Sequence, residues 1–462
     1  MASSDCCSII LPGYECQLND DGVAHSKNKV DSATKDLLSL GFIESDSIHK
    51  LPCRSHDETI QYRNSCTFQI LMTNLNDISM LCYAMRSEQT PIPLNGEYFP
   101  IATHRIQEVM KVMIQNLNAT STVDQKEFRF NLLRKDLSSV SFVSSWGETM
   151  DCITTLNYCE PFYVTDNDKT ILLLEAQLFC TECNITSLIL RSKKRMEVVG
   201  RAPPCINDIL YLDLSCSIEW KIKLKIKSGT GEEERDNTQL VPVYYRKPQD
   251  AFQHPNGNTM IQALQWMFNK LQAITSNNKH LESPCTTINL LEMYCGAGAH
   301  TVPIAMTNLF DNIVAVELDQ RLVDACKVNA NTNKCYNAGP KDRTPIYVFT
   351  GDAGEWASKC LSWKHKDNVL ADISSKHYWQ SKSFQVLLVD PPRAGLDQSV
   401  CQLAIHGSFE HIIYISCGRQ ALLKDLQILS EAFDVVDCTI TDLFPRTSSV
   451  ETLVHLKRRK AI

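Results

Sequence analysis

The feature that most constrains the fold of this chain is a regular alternation of short apolar runs and helical stretches in its C-terminal half. The clearest run, residues 384–389, is followed directly by Asp390, two prolines and Arg393. An unbroken apolar run of strand length is typical of a parallel strand buried on both faces. Strand–helix alternation predicts an α/β fold with a doubly wound, mostly parallel sheet. Seven strands are expected, the last two as an antiparallel hairpin at one edge, at residues 288–292, 312–317, 345–349, 385–389, 411–416, 433–440 and 451–456.

The length of the chain and a change of pattern near residue 245 predict two domains and a short N-terminal segment. The 462 residues are too many for one ordinary core, and 44% hydrophobic with 21% charged residues is typical of a globular protein. Residues 1–50 are polar and partly helical, residues 51–245 show a mixed α+β pattern, and residues 246–462 carry the alternating pattern. We therefore place domain boundaries near residues 50 and 245.

Composition argues against several classes of protein. No apolar run approaches the roughly 18 residues of a membrane span. The first 26 residues contain no Lys or Arg, which argues against an export signal or a mitochondrial presequence, so a cytoplasmic location is expected. The 20 cysteines are scattered through a long chain, so we expect reduced thiols, and the single C-x-x-C pair, Cys180 and Cys183, does not predict a metal site.

One basic stretch stands out against a net charge of −7. Residues 220–227 alternate between apolar residues and lysines, so a strand here would place Lys221, Lys223, Lys225 and Lys227 on one face. Such a face can contact phosphates, together with the Arg and Lys residues at 191–195, or it can be the solvated side of a half-buried strand. The pattern alone favours the second interpretation.

A glycine-bearing turn follows the first strand of the alternating region. Residues 290–299 have the pattern of a strand, a turn and a helix start, and Gly296 and Gly298 let the backbone approach a ligand closely. Glu317 ends the next strand, 19 residues after Gly298, where an acidic side chain can hold ribose hydroxyls. The layout predicts a nucleoside cofactor. It occurs in dinucleotide-binding folds and in S-adenosylmethionine-dependent methyltransferases, but Thr301 at the third small position of G-x-G-x-x-G/A weakens the dehydrogenase interpretation.

Cys417 is the candidate nucleophile and Glu451 the candidate base. Cys417 ends a predicted strand and precedes a helix at residues 420–429, so the helix N-terminus and the adjacent Arg419 would stabilise its thiolate. Glu451, at the start of the last strand, would face the same edge of the sheet. Because residues that follow parallel strands meet at the carboxyl edge, Asp390 and Cys417 are expected to be neighbours there. The alternative for each candidate is an ordinary buried thiol or a solvated carboxylate.

Together these segments resemble the tRNA (uracil-5-)-methyltransferase family, most closely its bacterial-type tRNA enzymes. The resemblance covers nearly the whole chain, and its ordered motifs are Ala251-Phe-Gln-His-Pro-Asn256, Tyr294-Cys-Gly-Ala-Gly298, Asp390-Pro-Pro-Arg-Ala-Gly-Leu396, Tyr414-Ile-Ser-Cys417 and Asp442-Leu-Phe-Pro-Arg-Thr-Ser-Ser-Val-Glu451. It implies a C-terminal Rossmann-like methyltransferase domain preceded by an N-terminal α+β domain that binds RNA.

The resemblance implies transfer of a methyl group from S-adenosylmethionine to C5 of a uridine in tRNA, at T-loop position 54. It implies that Cys417 adds to C6, that C5 takes the methyl group, and that Glu451 removes the C5 proton before Cys417 leaves. The resemblance implies the T-arm of tRNA as the partner, and a base inside its folded loop must leave its stack before a side chain can reach it. A monomer without a metal or an iron–sulfur cluster is expected. The residues implied for the cofactor are Tyr294, Gly296, Gly298, Glu317, Asp390 and His254, and those implied for RNA are Arg393, Lys221, Lys223, Lys225 and Lys227.

This chain departs from the family pattern in three places. Gly418 and Arg419 follow the nucleophile, where the family usually has Asn and commonly Pro after it. His254 aligns with a cofactor-binding Gln, and Ala299 aligns with an Asn just after the glycine turn. Each change removes or alters a polar contact, and a hydrogen bond is typically worth about 0.5–1.5 kcal/mol. Weaker cofactor binding is expected, with the chemistry retained.

Two alternatives remain open. One is a ribosomal RNA uridine-C5 methyltransferase, although the sequence has neither the C-x₅-C-x₂-C pattern of the iron–sulfur relatives nor a recognisable TRAM domain. The other is a tRNA-binding or tRNA-folding factor in which methyl transfer has decayed.

Overall fold

Most of the chain is described by the computed structural model. The described residues are 14–75, 78–85, 92–94, 98–120, 127–147, 149–163, 165–214, 240–251, 254–279, 287–336, 343–363 and 374–460. The predicted basic strand at residues 221–227 lies outside them. Within the described part of the chain, no helix is both long enough and apolar enough to cross a membrane.

The regular elements are numbered in chain order. The strands are β1 (Ile48–Leu51), β2 (Ser65–Leu75), β3 (Ile78–Met85), β4 (Ile92–Pro93), β5 (Leu137–Ser144), β6 (Cys152–Tyr158), β7 (Ser187–Arg191), β8 (Met196–Gly200), β9 (Cys205–Asp213), β10 (Leu240–Pro248), β11 (Asn289–Met293), β12 (Asn312–Glu317), β13 (Ile346–Thr350), β14 (Val386–Val389), β15 (His411–Ser416), β16 (Phe433–Thr441) and β17 (Glu451–Arg458). The helices are α1 (Gly22–Leu38), α2 (His104–Asn118), α3 (Asn131–Arg134), α4 (Asp166–Glu182), α5 (Gly257–Lys279), α6 (Thr301–Met306), α7 (Gln320–Thr332), α8 (Ala353–Trp363), α9 (Lys376–Gln380), α10 (Gln398–His406) and α11 (Arg419–Leu429), with 3₁₀ turns at Ser45–Ser47 and Asp57–Thr59.

The seven expected strands, β11–β17, form the predicted doubly wound sheet. The strand order is β1-β16-β17-β15-β14-β11-β12-β13, and β11 to β15 pair in parallel. All four residues of β14 are buried, as its unbroken apolar sequence requires. The antiparallel hairpin of β16 and β17 is also confirmed.

An eighth strand that the sequence did not reveal completes this sheet. β1 pairs in parallel with β16, so the hairpin does not form the edge of the sheet. Its sequence, Ile-His-Lys-Leu, is short and has no apolar run, so periodicity could not identify it. Helix α1, capped by the Asp21 carboxylate, precedes it and packs on the same sheet. The domain boundaries near residues 50 and 245 stay predictions.

The region between β1 and α5 contains a second, mostly antiparallel sheet. Its order is β4-β3-β2-β5-β6-β7-β8, with one parallel pair, β6 and β7, joined through α4. The apolar face of helix α2, which includes Ile106, Val109 and Met110, is buried against this sheet. The mixed α+β pattern is therefore confirmed for this region.

Helices cover both faces of the eight-stranded sheet that contains β11–β17. One face packs against α5, α6, α7 and the β9–β10 ribbon, and the other against α1 and α8 to α11. Helix α5 begins at Gly257, and the Asn256 side chain just before it accepts a hydrogen bond from the Thr259 N–H at 3.3 Å. The edge of the sheet between these two layers carries the candidate site.

Candidate functional site

The sheet brings Asp390, Cys417 and Glu451 to one edge. Asp390 and Cys417 directly follow β14 and β15, which are neighbouring parallel strands. Glu451 begins β17, which runs antiparallel to β15 with Thr452 opposite Ser416. The start of an antiparallel strand lies at the carboxyl edge of its parallel neighbours, so the three side chains converge. The sheet topology thus confirms the prediction that Asp390 and Cys417 are neighbours.

Cys417 is half-buried beside both acidic groups. Burial, and then the charges of Glu451 and Asp390, raise the pKa of the Cys417 thiol to about 11, while Arg393 acts in the opposite direction. The neutral thiol is therefore the form of Cys417 at neutral pH.

The expectation that Arg419 stabilises the Cys417 thiolate was wrong. The Arg419 guanidinium turns away from the thiol and donates to the Ser32 backbone oxygen at 2.7 Å and to the Ser32 hydroxyl at 3.0 Å. It also pairs with the Asp36 carboxylate at 2.5 Å. The cation that acts on Cys417 is Arg393 instead. Position in the sequence could not show which way the Arg419 side chain points.

The backbone explains the glycine that follows Cys417. A Cβ at Gly418 would lie 2.4 Å from the Arg393 carbonyl oxygen, a contact that an L side chain cannot make without moving the backbone. The Gly418 N–H donates to the Ser416 hydroxyl at 3.2 Å, which fixes the turn into α11. Gly418 therefore allows the Asp390–Arg393 loop to lie directly against the nucleophile turn.

Glu451 is an almost fully buried carboxyl group. It is 2% exposed, and neither of its carboxylate oxygens has a hydrogen-bond partner among the described residues. Burial, and then the charge of Asp390, raise the pKa of Glu451 well above its usual range, against a lowering effect of Arg393. A buried acidic group with a strongly raised pKa is a common feature of catalytic sites.

Asp390 is surrounded by two histidines and a buried glutamate. Its Oδ2 lies 3.6 Å from His254 Nε2 and 4.0 Å from His300 Nδ1. His300 Nδ1 in turn lies 3.8 Å from Glu292 Oε1. Burial raises the pKa of Glu292 to about 8 and lowers the pKa of His300 to about 4, so both groups are neutral at pH 7.

Three side chains of the same cluster are candidate ligands of a metal ion. The ligand atoms of His254, His300 and Asp390 all lie within 4.8 Å of one another. Ligands of a tetrahedral zinc ion lie about 3.3 Å apart, since each bond is about 2.0 Å long. The spacing of the three atoms is wider than that, so they do not form a ready-made zinc site.

The glycine turn has the geometry of a nucleotide cradle. Tyr294, Gly296 and Gly298 all have positive φ, and a Cβ on Gly296 would meet no atom within 4 Å, so the backbone there faces open space. The Glu317 carboxylate accepts the Gly296 N–H at 3.0 Å, which confirms that the predicted acid lies beside the turn. The Tyr294 hydroxyl donates to Asp397 at 3.1 Å. These residues fit a nucleoside cofactor.

The residues predicted to contact RNA are only partly described. Arg393 is exposed at the rim, beside the Phe444 ring. In the basic cluster at 191–195, Arg191 pairs with Asp250, and Arg195 stacks on Tyr163. Lys193 and Lys194 are exposed. The two arginines are thus engaged within the protein, which leaves the two lysines as the part of this cluster that is open to a ligand.

Sequence reasoning missed three residues of this edge. Glu292 interrupts an otherwise apolar strand, a signal that could have marked it as a buried acid. His300 and Asp352 gave no such signal. Asp352 follows β13 and lines a surface depression that Asp397, the partner of Tyr294, also lines.

Comparison with known proteins identifies the family. The sequence model of the family described as tRNA (Uracil-5-)-methyltransferase matches residues 221–459, more than half of the 462 residues. The chain belongs to the tRNA (uracil-5-)-methyltransferase family. Membership confirms the expected enzyme class, methylation of uridine C5 in tRNA, and S-adenosylmethionine as the methyl donor.

Relatives of this methyltransferase match along most of its length. A tRNA/tmRNA (uracil-C(5))-methyltransferase of Pseudoalteromonas translucida is 25% identical over 405 residues, covering 87% of this chain and 89% of the relative. One of Campylobacter lari is 26% identical over 433 residues, covering 94% and 99%. The crystal structure of Pyrococcus abyssi tRNA (uracil-54, C5)-methyltransferase in complex with S-adenosyl-L-homocysteine has a TM-score of 0.55, is 14% identical, and covers 94% of this chain and 84% of its own. The last comparison confirms the fold.

Proposed function

We propose that this methyltransferase modifies the T-loop uridine at position 54 of tRNA through a covalent adduct between Cys417 and C6 of the base. The observation that carries the proposal is the placement of Cys417 directly after β15 and of Glu451 at the start of the neighbouring strand β17, beside Asp390. A nucleophile and a base on two rigid strands can act on adjacent atoms, C6 and C5, of one flat ring. The printed names of the relatives support the substrate.

Each proposed step has a residue of this chain. The Cys417 sulfur forms a bond to C6, which makes C5 electron-rich. S-Adenosylmethionine, when bound, would supply an electrophilic methyl group to C5, with S-adenosylhomocysteine as the leaving group. Glu451 then accepts the C5 proton, and the bond between Cys417 and C6 breaks to release 5-methyluridine and the thiolate. Arg393 is the protein cation that favours the charged forms of both Cys417 and Glu451.

The raised pKa values set a condition on this mechanism. At neutral pH the free protein holds a thiol at Cys417, so Cys417 must release its proton to solvent before it attacks C6, and the raised pKa of Glu451 opposes loss of the carboxyl proton. A positive charge brought next to buried acids lowers their pKa. Binding of a cationic methyl donor at this edge would therefore also prepare the two groups for the reaction.

The cofactor-binding roles of Tyr294, Gly296, Gly298, Glu317, Asp390 and His254 are part of the same proposal. The glycine turn would receive the nucleoside and Glu317 its ribose, while Asp390 and His254 would lie at the reacting end. His254 Nε2 is near enough to Asp390 to orient its carboxylate.

We also propose that the protein is monomeric, cytoplasmic and free of metal. Size-exclusion chromatography, imaging of a tagged chain and elemental analysis would test these three properties.

The experiment separates the two proposed catalytic roles. Without Cys417 no adduct can form, so Cys417→Ala should abolish turnover and leave tRNA binding intact. Glu451→Gln should permit addition and methyl transfer but stall release, because removal of a general base typically costs about 10²–10⁴-fold in rate. On a denaturing gel with tRNA and S-adenosylmethionine, Glu451→Gln should give a slowly migrating protein–RNA band, and the double variant none. Wild-type turnover by Glu451→Gln, or an adduct without Cys417, would contradict the assignment.

The same assay decides the alternatives. Wild-type protein that binds tRNA but forms no 5-methyluridine at saturating S-adenosylmethionine would be a binding factor with decayed activity. Methylation of ribosomal RNA fragments in preference to tRNA would identify the ribosomal RNA enzyme.

A further inference from the structure

Helix α1 contacts both loops of the proposed reaction, although it precedes them by almost 400 residues. Lys29, Ser32 and Asp36 lie three and four residues apart, so they share one face of the helix. This face meets the loop that leads to Glu451 at one end and the residue two positions after Cys417 at the other.

Lys29 holds the loop before Glu451 from inside the protein. Its ammonium group is buried and donates to the backbone oxygens of Phe444, Thr447 and Ser449 at 2.7, 2.8 and 3.0 Å. The same group lies 2.6 Å from Asp442, which is also buried. The three N–H donors of Lys29 thus hold three backbone carbonyl groups of one loop, and the loop ends at the proposed base.

Neighbouring N-terminal residues hold the tip of the same loop. The Arg446 backbone oxygen accepts the Glu15 and Cys16 N–H groups at 3.0 and 3.2 Å. The Arg446 side chain is fully buried and donates to Thr59 and to the Gln17 backbone oxygen. The 442–450 loop therefore has few independent conformations left.

At the other end of the helix, Ser32 and Asp36 bind the Arg419 guanidinium. Arg419 opens α11, and Cys417 stands two residues before it. The two bonds to Ser32 and the ion pair with Asp36 thereby fix the start of α11 relative to α1. Arg419 is one of the departures from the family pattern, and its contacts with Ser32 and Asp36 give it a structural role.

We propose that helix α1 is a positioning element for methyl transfer: Lys29 sets the place of Glu451, and the Ser32–Asp36 face sets the place of Cys417 through Arg419. The inference rests on the proposed roles of Cys417 and Glu451. Because a shift of about 1 Å can cost about 10²-fold in rate, each contact should affect the step that its own loop performs.

Substitutions that remove the contacts at the two ends of α1 should slow different steps of the reaction. Lys29→Met removes the donors and keeps an unbranched apolar stem, so Glu451 should be misplaced and adduct release should slow. Turnover should fall about 10- to 100-fold, with an accumulated protein–RNA adduct and an unchanged KM for S-adenosylmethionine. Arg419→Gln should instead slow adduct formation, measured in the Glu451→Gln background where the adduct is trapped. The charge-swapped pair Asp36→Arg with Arg419→Asp should recover part of that rate.

The controls separate positioning from stability. Lys27→Met makes the same substitution at an exposed position of α1 and should leave kcat and adduct yield unchanged. Lys29→Arg, which keeps the charge but needs more room, should give the same accumulation if Lys29→Met does not fold. Lost turnover of Lys29→Met without accumulated adduct, while Glu451→Gln does accumulate it, would overturn the role of α1 and leave the proposed function intact. Absence of adduct in Glu451→Gln itself would instead overturn the proposed function.

Discussion

At the scale of single residues, burial shifts the pKa values of several groups of the candidate site towards their neutral forms. The pKa of Cys417 is raised to about 11, that of Glu292 to about 8, and that of Glu451 well above its usual range. The pKa of His300 is lowered to about 4, so it adds no compensating charge. An edge with this composition avoids the repulsion that three adjacent carboxylates and a thiolate would create.

The thiol of Cys417 should therefore react slowly with alkylating agents in the free enzyme. Only the thiolate is nucleophilic, and a pKa near 11 instead of 9.0 lowers its fraction at neutral pH by about 100-fold. The rate of iodoacetamide labelling, followed by mass spectrometry of the peptide that contains Cys417, should rise about tenfold per pH unit between pH 7 and 10.

Arg393 acts against this shift, so Arg393→Gln should slow the labelling further. Rapid labelling at pH 7 that does not depend on pH would show that Cys417 is a stabilised thiolate after all.

At the scale of elements, the strands β15 and β17, next to the proposed catalytic residues, are also joined by a buried histidine pair. His411 Nδ1 on β15 lies 3.0 Å from His455 Nε2 on β17. Burial lowers the pKa of His411 to about 4 and that of His455 to about 3, so one ring donates to the other as neutral imidazoles. The contact needs one ring nitrogen as an acceptor, so it is lost when both rings are protonated.

This pair should make stability depend on pH below neutrality. The folded-state pKa values lie below the unfolded value of about 6.5, so the unfolded chain binds more protons and acid favours it. The contribution is complete above pH 6.5 and is lost as the pH falls towards 4 and 3, at a rate of at most about 1.4 kcal/mol per pH unit for each histidine.

Thermal melts between pH 7 and 4.5 should show this loss as a falling Tm. His411→Gln with His455→Gln should flatten the fall, whereas His406→Gln, at an exposed position of α10, should not. An equal fall in Tm for the wild type and the double variant would exclude the pair as its source.

At the scale of the whole molecule, the N-terminal residues are part of the catalytic half. β1 extends the catalytic sheet, and α1 and the Arg446 contacts bind the loop before Glu451. The second sheet also reaches this half, where the Asn64 N–H donates to the Pro255 backbone oxygen at 3.1 Å and the Trp146 indole donates to the His254 backbone oxygen at 2.8 Å. The motif that contains His254 is thus held by both halves.

The proposed RNA surface can be tested although the residues at 221–227 lie outside the described part of the chain. If the four lysines contact phosphates, Lys223→Ala with Lys225→Ala should weaken tRNA binding and lower the slope of log K against log salt by roughly 0.7–0.9 for each lost contact. The KM for S-adenosylmethionine should hardly change.

Lys27→Ala with Lys35→Ala, two exposed lysines of α1, provides a control of equal charge. A salt slope that does not change in the Lys223 and Lys225 variant would identify the segment as a strand with a solvated face.

The sequence determined seven of the eight strands of the sheet and placed Asp390, Cys417 and Glu451 at its edge. Unbroken apolar runs such as that of β14 specify buried parallel strands, and the residues after parallel strands must meet at one edge, so Asp390 and Cys417 could be placed together without coordinates. The glycine turn and Glu317 were predictable for the same local reason, since the ends of neighbouring strands fix their distance.

The tertiary structure alone decided side-chain direction and protonation. Arg419 looked like a partner of Cys417 in sequence, but its side chain reaches α1, and Arg393 takes its place. Strand β1 and the contacts of Lys29 depend on segments almost 400 residues apart, and no local periodicity encodes such a pairing. The raised pKa of Glu451 arises from desolvation, which is a property of everything packed around a group and not of its neighbours in the chain.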